Sequence, residues 1–192
     1  DRDGMVARRW VGAIGAAIYG TAGEKLLNDA SLDPFYAALC EADLPLCVHV
    51  GWSLPGLNRV CEHPYAAQLL SFSLPRLMAF FAIVDGVLDR FPMLRVGFFE
   101  GGAQWIPYLV DRMDHYYEVD KRLGWGNLPR KEPSRYLGDG QLYITGFQVW
   151  GTTAKKISGL ARLRYTGAPR VLLKECTPMD KGLLLRFTHA LD

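Results

Sequence analysis

The sequence predicts an α/β fold, an incomplete TIM-like (β/α) barrel of about five parallel strands alternating with helices. Three observations predict it. Short apolar runs recur along the chain, as strands covered on both faces require. Helical patterns separate those runs, and strand–helix alternation calls for a parallel sheet with right-handed crossovers. The length of 192 residues suits a single domain over 1–192, yet falls short of the roughly 200 to 250 residues of a complete eight-stranded barrel.

The first strand is expected in VGAIGAAIYG (11–20), small and apolar. DPFYAALCEAD (33–43) then reads as a helix, with Asp33 as N-cap and Pro34 at the first helical position. LPLCVHVG (44–51) is the second strand. The long apolar segment 64–92 is helical, with Pro75 expected to end or kink one helix before the next. LRVGFF (94–99) is the third strand. In 103–124, Trp105, Leu109, Met113 and Tyr116 recur at helical spacing and mark one helix face. The Gly- and Pro-rich 124–140 reads as a loop. QLYITGF (141–147) and PRVLLKE (169–175) are the remaining strands, with helices expected at 152–165 and 179–192.

Composition narrows the function. The net charge of +2 is small, and no Lys/Arg cluster is interleaved with aromatics, which argues against nucleic acid as a partner. No GxGxxG or GxxxxGK(S/T) pattern follows the first strand, so a dinucleotide or P-loop site lacks its motif. Cys40, Cys47, Cys61 and Cys176 lie far apart with no CxxC pair, which predicts a reduced, cytoplasmic protein. The apolar stretch around 74–88 is broken by Arg76 and Asp85 and is shorter than the roughly 20 residues of a spanning helix, so no membrane is expected.

In α/β folds the ligand sits beyond the carboxyl ends of the strands. His49 falls near the end of the second strand and Glu100 ends the third. Glu175, Cys176 and Thr177 end the fifth, with Asp180 just beyond. Imidazole and carboxylate from neighbouring strands suit a divalent metal or an acid–base pair. Plainer roles stand beside these. Glu100 precedes a helix start, where an acid complements the positive helix end, and Asp180 reads first as a helix-start residue. His63, His115 and His189 read as structural or solvated.

The segments LDPFYAALCEADLPLCVHVGWS (32–53), GVLDRFPMLRVGFFEGGAQWIPYLVDRMDHYY (86–117) and PSRY (133–136) carry a resemblance. Together the chain resembles the amidohydrolase-related (amidohydrolase 2) family of metal-dependent hydrolases and nonoxidative decarboxylases, which includes aminocarboxymuconate semialdehyde decarboxylase. The pattern DRFPxLRVxFxEGGxxWxPYLxxRMD is its most specific part. The resemblance implies a distorted barrel, a small-molecule substrate and one divalent metal, zinc first among them. It implies a homodimer or higher homo-oligomer as well. His49 stands at the family's middle-strand metal histidine. Glu100 stands where many decarboxylases carry a substrate-side histidine. Arg112 resembles an arginine that reaches a substrate carboxylate across a dimer interface, although an ion pair with Asp111 is an equal reading. Trp52 and Trp105 complete the candidate substrate-binding set.

Two departures are expected to matter. The family's first-strand HxH pair is absent, as though the first strands were missing. The last-strand Ser-Asp-x-Pro-His-like motif is replaced by Glu175-Cys176-Thr177-Pro178-Met179, leaving Asp180 as the substitute metal ligand. The expected function is therefore a metal-dependent hydrolase or nonoxidative decarboxylase acting on a small carboxylate, amide or ester. The alternative is a degenerate member without metal, acting as a metal-independent lyase or as a structural or binding subunit.

Overall fold

Four short strands run side by side in parallel. They are β1 (Ala16–Ile18), β2 (Leu46–Val48), β3 (Val96–Phe98) and β4 (Leu142–Phe147). Their order is sequential, with Ala16 beside Leu46, Leu46 beside Val96 and Val96 beside Leu142. This is a computed structural model, and it describes residues 12–60, 63–100, 102–103, 105–147, 158–162, 173–179 and 182–187. Leu46, Val48, Val96, Phe98 and Leu142 are all buried. That is the physical content of the continuous apolar runs: a strand covered on both faces has no polar alternation.

Helices α1 (Asp33–Glu41), α2 (Pro55–Val60), α3 (Pro64–Ala82), α4 (Leu88–Arg90) and α5 (Trp105–Leu123) fill the crossovers. α1 is entered through a short 3-10 turn, Ala30–Leu32, whose cap is Asp29, its carboxylate accepting from Ser31 N–H at 2.9 Å. Asp33, expected as the cap, lies inside the helix and instead pairs with Arg90 at 3.0 Å. α5 is confirmed: Ile106 and Val110 are buried, Trp105, Leu109 and Met113 pack beside them, and Tyr116 is exposed.

Pro75 neither ends nor kinks α3, which continues to Ala82. A proline removes the N–H that would bond the carbonyl four residues earlier, here Ser71. That carbonyl is satisfied from outside the helix, accepting from Gly51 N–H at 3.0 Å. The break comes later, in a π-type turn at Ile83–Val87, where Asp85 and Gly86 (φ 112°) leave helical backbone. The stretch Pro64–Arg90 is long and apolar enough to cross a bilayer. Its Ala79, Phe80, Ile83, Val84 and Val87, however, are buried in the protein core, as in any helix that covers a sheet.

The second half departs from expectation. Within 152–165, Ser158–Arg162 is a strand, β5, antiparallel to β4 with Tyr143 opposite Arg162. An open sheet edge presents unpaired backbone groups, and pairing there overrides weak local helical preference. The expected fifth parallel strand at 169–175 and the helix at 179–192 are replaced by β6 (Leu173–Met179) and β7 (Gly182–Phe187), a separate antiparallel pair. Two residues separate them, a hairpin spacing that leaves no room for a crossover helix. Part of the 124–140 loop is ordered as a 3-10 helix, Pro133–Gly138, with Pro133, Ser134, Tyr136 and Leu137 buried. Ser134 N–H donates to Asp114 Oδ1 at 2.8 Å, and the Tyr136 hydroxyl donates to Asp89.

Candidate active site

The parallel ladder delivers two side chains to one place. His49 N–H donates to the Ile18 carbonyl at 2.9 Å, and Phe99 N–H donates to Val48 at 2.8 Å. His49 and Glu100 therefore leave the ends of adjacent strands. Their side chains meet, with His49 Nε2 at 3.3 Å from Glu100 Oε2. Both are partly exposed, 47% and 31%.

Glu100 reaches this position with φ at 59°. A left-handed backbone costs a residue with a Cβ about 1–2 kcal/mol, and such strain concentrates at functional sites. This is why an acid stands where a buried strand stops: the turn aims the carboxylate back at the neighbouring strand's imidazole.

The His49 ring is also held on its other side. Nδ1 lies 3.1 Å from the Val50 carbonyl. A carbonyl only accepts, so Nδ1 carries a proton and donates it. Nε2 then faces a carboxylate oxygen, and the contact is attractive only with a cation between them, a proton or a metal ion. A backbone carbonyl on the far ring nitrogen is the usual partner of a metal-bound histidine. The separation also suits a shared ion, since two donors each about 2.1 Å from a tetrahedral metal lie about 3.4 Å apart. The pair therefore fits two neighbouring ligands of a divalent metal. Among the described residues, no group of three His, Cys, Asp or Glu side chains converges, and Asp180 lies outside them.

Tyr19, His49, Gly51, Trp52, Ala67 and Ser71 line an open hollow of about 460 Å³, within the range for small-molecule sites. A second concavity, which shares Tyr19 and His49 with the first, is also lined by Ile18, Thr21 and Ser53. The 49–53 loop that contributes to both is pinned by hydrogen bonds. Gly51 N–H bonds Ser71, and the Ser53 hydroxyl donates to the Thr21 carbonyl at 2.6 Å while accepting from Gly23 N–H at 2.8 Å.

The structure thus brings His49 and Trp52 to one hollow, with Glu100 against His49 but lining neither concavity. Trp105 instead joins the core: its ring packs edge-on against Phe80 and Phe98, and its Nε1–H donates to Gly102 at 2.9 Å. Arg112 lies 3.7 Å from Asp111 and over the Tyr116 ring, and lines neither concavity. Of the other histidines, His63 caps α3 by accepting from Tyr65 N–H and His115 is exposed, while His189 lies outside the described residues. Cys40 and Cys47 are free thiols, each with its pKa pushed up by burial. Tyr19 and Ser71 escaped the sequence reading. A Ser four residues before a mid-helix proline was the available signal for Ser71, because its carbonyl had to find another donor.

The family profile described as Amidohydrolase matches residues 7–125, more than half of the chain. The chain belongs to the amidohydrolase family. This amidohydrolase is 27% identical over 158 residues to the decarboxylase orsB of Emericella nidulans, covering 76% of the chain and 45% of that relative. Among solved structures it is similar to 5-carboxyvanillate decarboxylase LigW2 of Novosphingobium aromaticivorans, determined with bound manganese and 3-methoxy-4-hydroxy-5-nitrobenzoic acid. The TM-score is 0.62 at 22% identity, covering 72% of this chain and 41% of the other. It is also similar to the IDCase of Metarhizium anisopliae in apo form, with TM-score 0.53 at 25% identity over 68% of this chain and 36% of that one. The amidohydrolase chain therefore spans under half the length of these relatives, and the fold they share with it is the barrel of which four parallel strands are seen here.

Proposed function

We infer that this chain carries part of the active site of a metal-dependent enzyme that decarboxylates a small aromatic or enoic acid without an oxidant. One observation carries the reading: His49 and Glu100, from adjacent parallel strands, meet at 3.3 Å, and His49 lines the hollow beside them. The decarboxylase names among the relatives favour this reaction over hydrolysis of an amide or ester.

His49 would hold the metal through Nε2, its tautomer set by the Val50 carbonyl. Bound there, a divalent ion supplies Lewis acidity toward a substrate oxygen. Glu100 would hold the ion beside His49 through one carboxylate oxygen and keep the other for the proton that the reaction consumes. In decarboxylation the carbon–carboxylate bond breaks, its electron pair stays on carbon, that carbon takes the proton, and carbon dioxide leaves. Trp52 and Tyr19 wall the hollow and would flank the reacting group. The resemblance pointed to zinc, whereas the solved relative holds manganese, so both are to be measured.

The test is elemental analysis of the purified chain together with carbon dioxide release from a panel of hydroxybenzoic acids. His49→Ala should lose bound metal and at least about 100-fold in rate, more than the loss on removing an outer partner of a ligand. Full activity in protein stripped of metal would sink the reading. A second reading, a binding or structural subunit, is favoured by the absence of a third donor among the described residues. It predicts no metal, no turnover and no change in melting temperature with chelator.

A further inference from the structure

Arg76 is the anomaly of the interior. It is 5% exposed, and its Nε and Nη1 have no hydrogen-bond partner among the described residues. It lies on the core-facing stripe of α3, one turn before Phe80, where a hydrophobic side chain is expected. Its contact is the ring of Trp105, 5.6 Å from guanidinium carbon to centroid. Burial lowers its pKa to about 10, so the group remains a cation at neutral pH. A cation–π contact offsets only part of the cost of desolvating a charge. A methionine here would fill the space without that cost, so the guanidinium weakens the ligand-free fold.

The position gives that liability a use. α3 carries Ser71 on the wall of the His49 hollow, and Arg76 follows about 7.5 Å further along the helix axis. Trp105, partly exposed, begins the helix that follows Glu100 by a few residues. The cation, with Nε and Nη1 unbonded among the described residues, thus lies against the indole ring at the start of α5. We propose that Arg76 is a further binding residue, whose buried guanidinium pairs with the carboxylate of a small organic acid beside Trp105. The choice of a carboxylate rests on the function inferred above. Guanidinium and carboxylate complement each other in shape and charge, and an anion there converts a desolvation cost into a charge-assisted hydrogen bond.

The experiment is a benzoate titration followed by melting temperature and tryptophan fluorescence. It is done in the His49→Ala background so that no metal competes for the anion. Benzoate should stabilise this protein and its uncharged analogue benzamide should not. Arg76→Met should melt higher than its parent without ligand and bind benzoate at least 10-fold more weakly, with Arg76→Lys in between. Trp105→Phe should remove most of the fluorescence response. An Arg76→Met protein that melts lower and responds to benzoate unchanged would overturn the proposal, because the guanidinium would then serve the fold. Should Arg76→Met fail to fold, the parent decides: a benzoate response no larger than that of benzamide overturns the proposal as well. Failure of the decarboxylase reading looks different, since it abolishes metal and turnover while leaving the benzoate response in place.

Discussion

Asp85 shows how a single carboxylate is set by its surroundings. It sits in the π-type turn after α3, and its pKa is raised, first by burial and further by the charge of Asp89. A hydrogen bond from Asn28 at 3.0 Å and the charge of Arg90 pull the other way. The native state therefore holds this proton more tightly than the unfolded chain does. Its contribution to stability is fully present below the ordinary Asp value and is lost as pH rises through the raised one. At neutral pH the ionised group is a cost. Asp85→Asn keeps an oxygen for Asn28 and should raise the melting temperature at pH 7, with the gain shrinking as pH falls toward about 4. Thermal melts across that range check it, and a lower melting temperature at pH 7 would refute the account. At the same scale, His49 and Glu100 were legible because both end apolar runs. Arg76 and Tyr19 were not, because nothing in a local pattern says that an arginine is unpaired or that a tyrosine overhangs a neighbouring strand's loop.

At the scale of elements, the contact between the end of β1 and α3 holds the candidate site in place. Gly20 lies so close to Pro75 that an added Cβ would sit 2.2 Å from its carbonyl oxygen and 2.5 Å from its carbonyl carbon. Backbone atoms cannot swing aside as a side chain can. Gly20→Ala should therefore cost about 1–3 kcal/mol in a urea titration. It should also weaken the Gly51–Ser71 bond that pins the loop after His49. An unaltered midpoint would show that α3 is free to slide. The sequence placed both glycine and proline, but it read Pro75 as a helix breaker. Rule and outcome differ because the orphaned Ser71 carbonyl found Gly51, a partner 20 residues away in the chain.

For the whole molecule, stability rests on the layer between sheet and helices. Phe80 is fully buried, with ring centroids 5.5 Å from both Phe98 and Trp105. It joins α3, β3 and α5. Phe80→Ala should cost about 3–5 kcal/mol and lower the melting temperature by on the order of 10 °C. A loss confined to α3, with the sheet's amide protection intact, would show that the layers fold separately. The sequence by itself determined the four parallel strands, the helices between them and the family, since buried parallel strands need unbroken apolar runs and crossover helices need amphipathic ones. It also placed His49 and Glu100 at strand ends. Only the tertiary structure decided that their side chains meet, that Glu100 turns through a left-handed backbone to do so, and that Arg76 lies buried with Nε and Nη1 unbonded among the described residues. It alone decided too that β5, β6 and β7 pair antiparallel. Strand direction and side-chain meeting are fixed by which backbone edge or neighbour lies nearby in space, and short apolar runs such as GLLLRF carry no record of that.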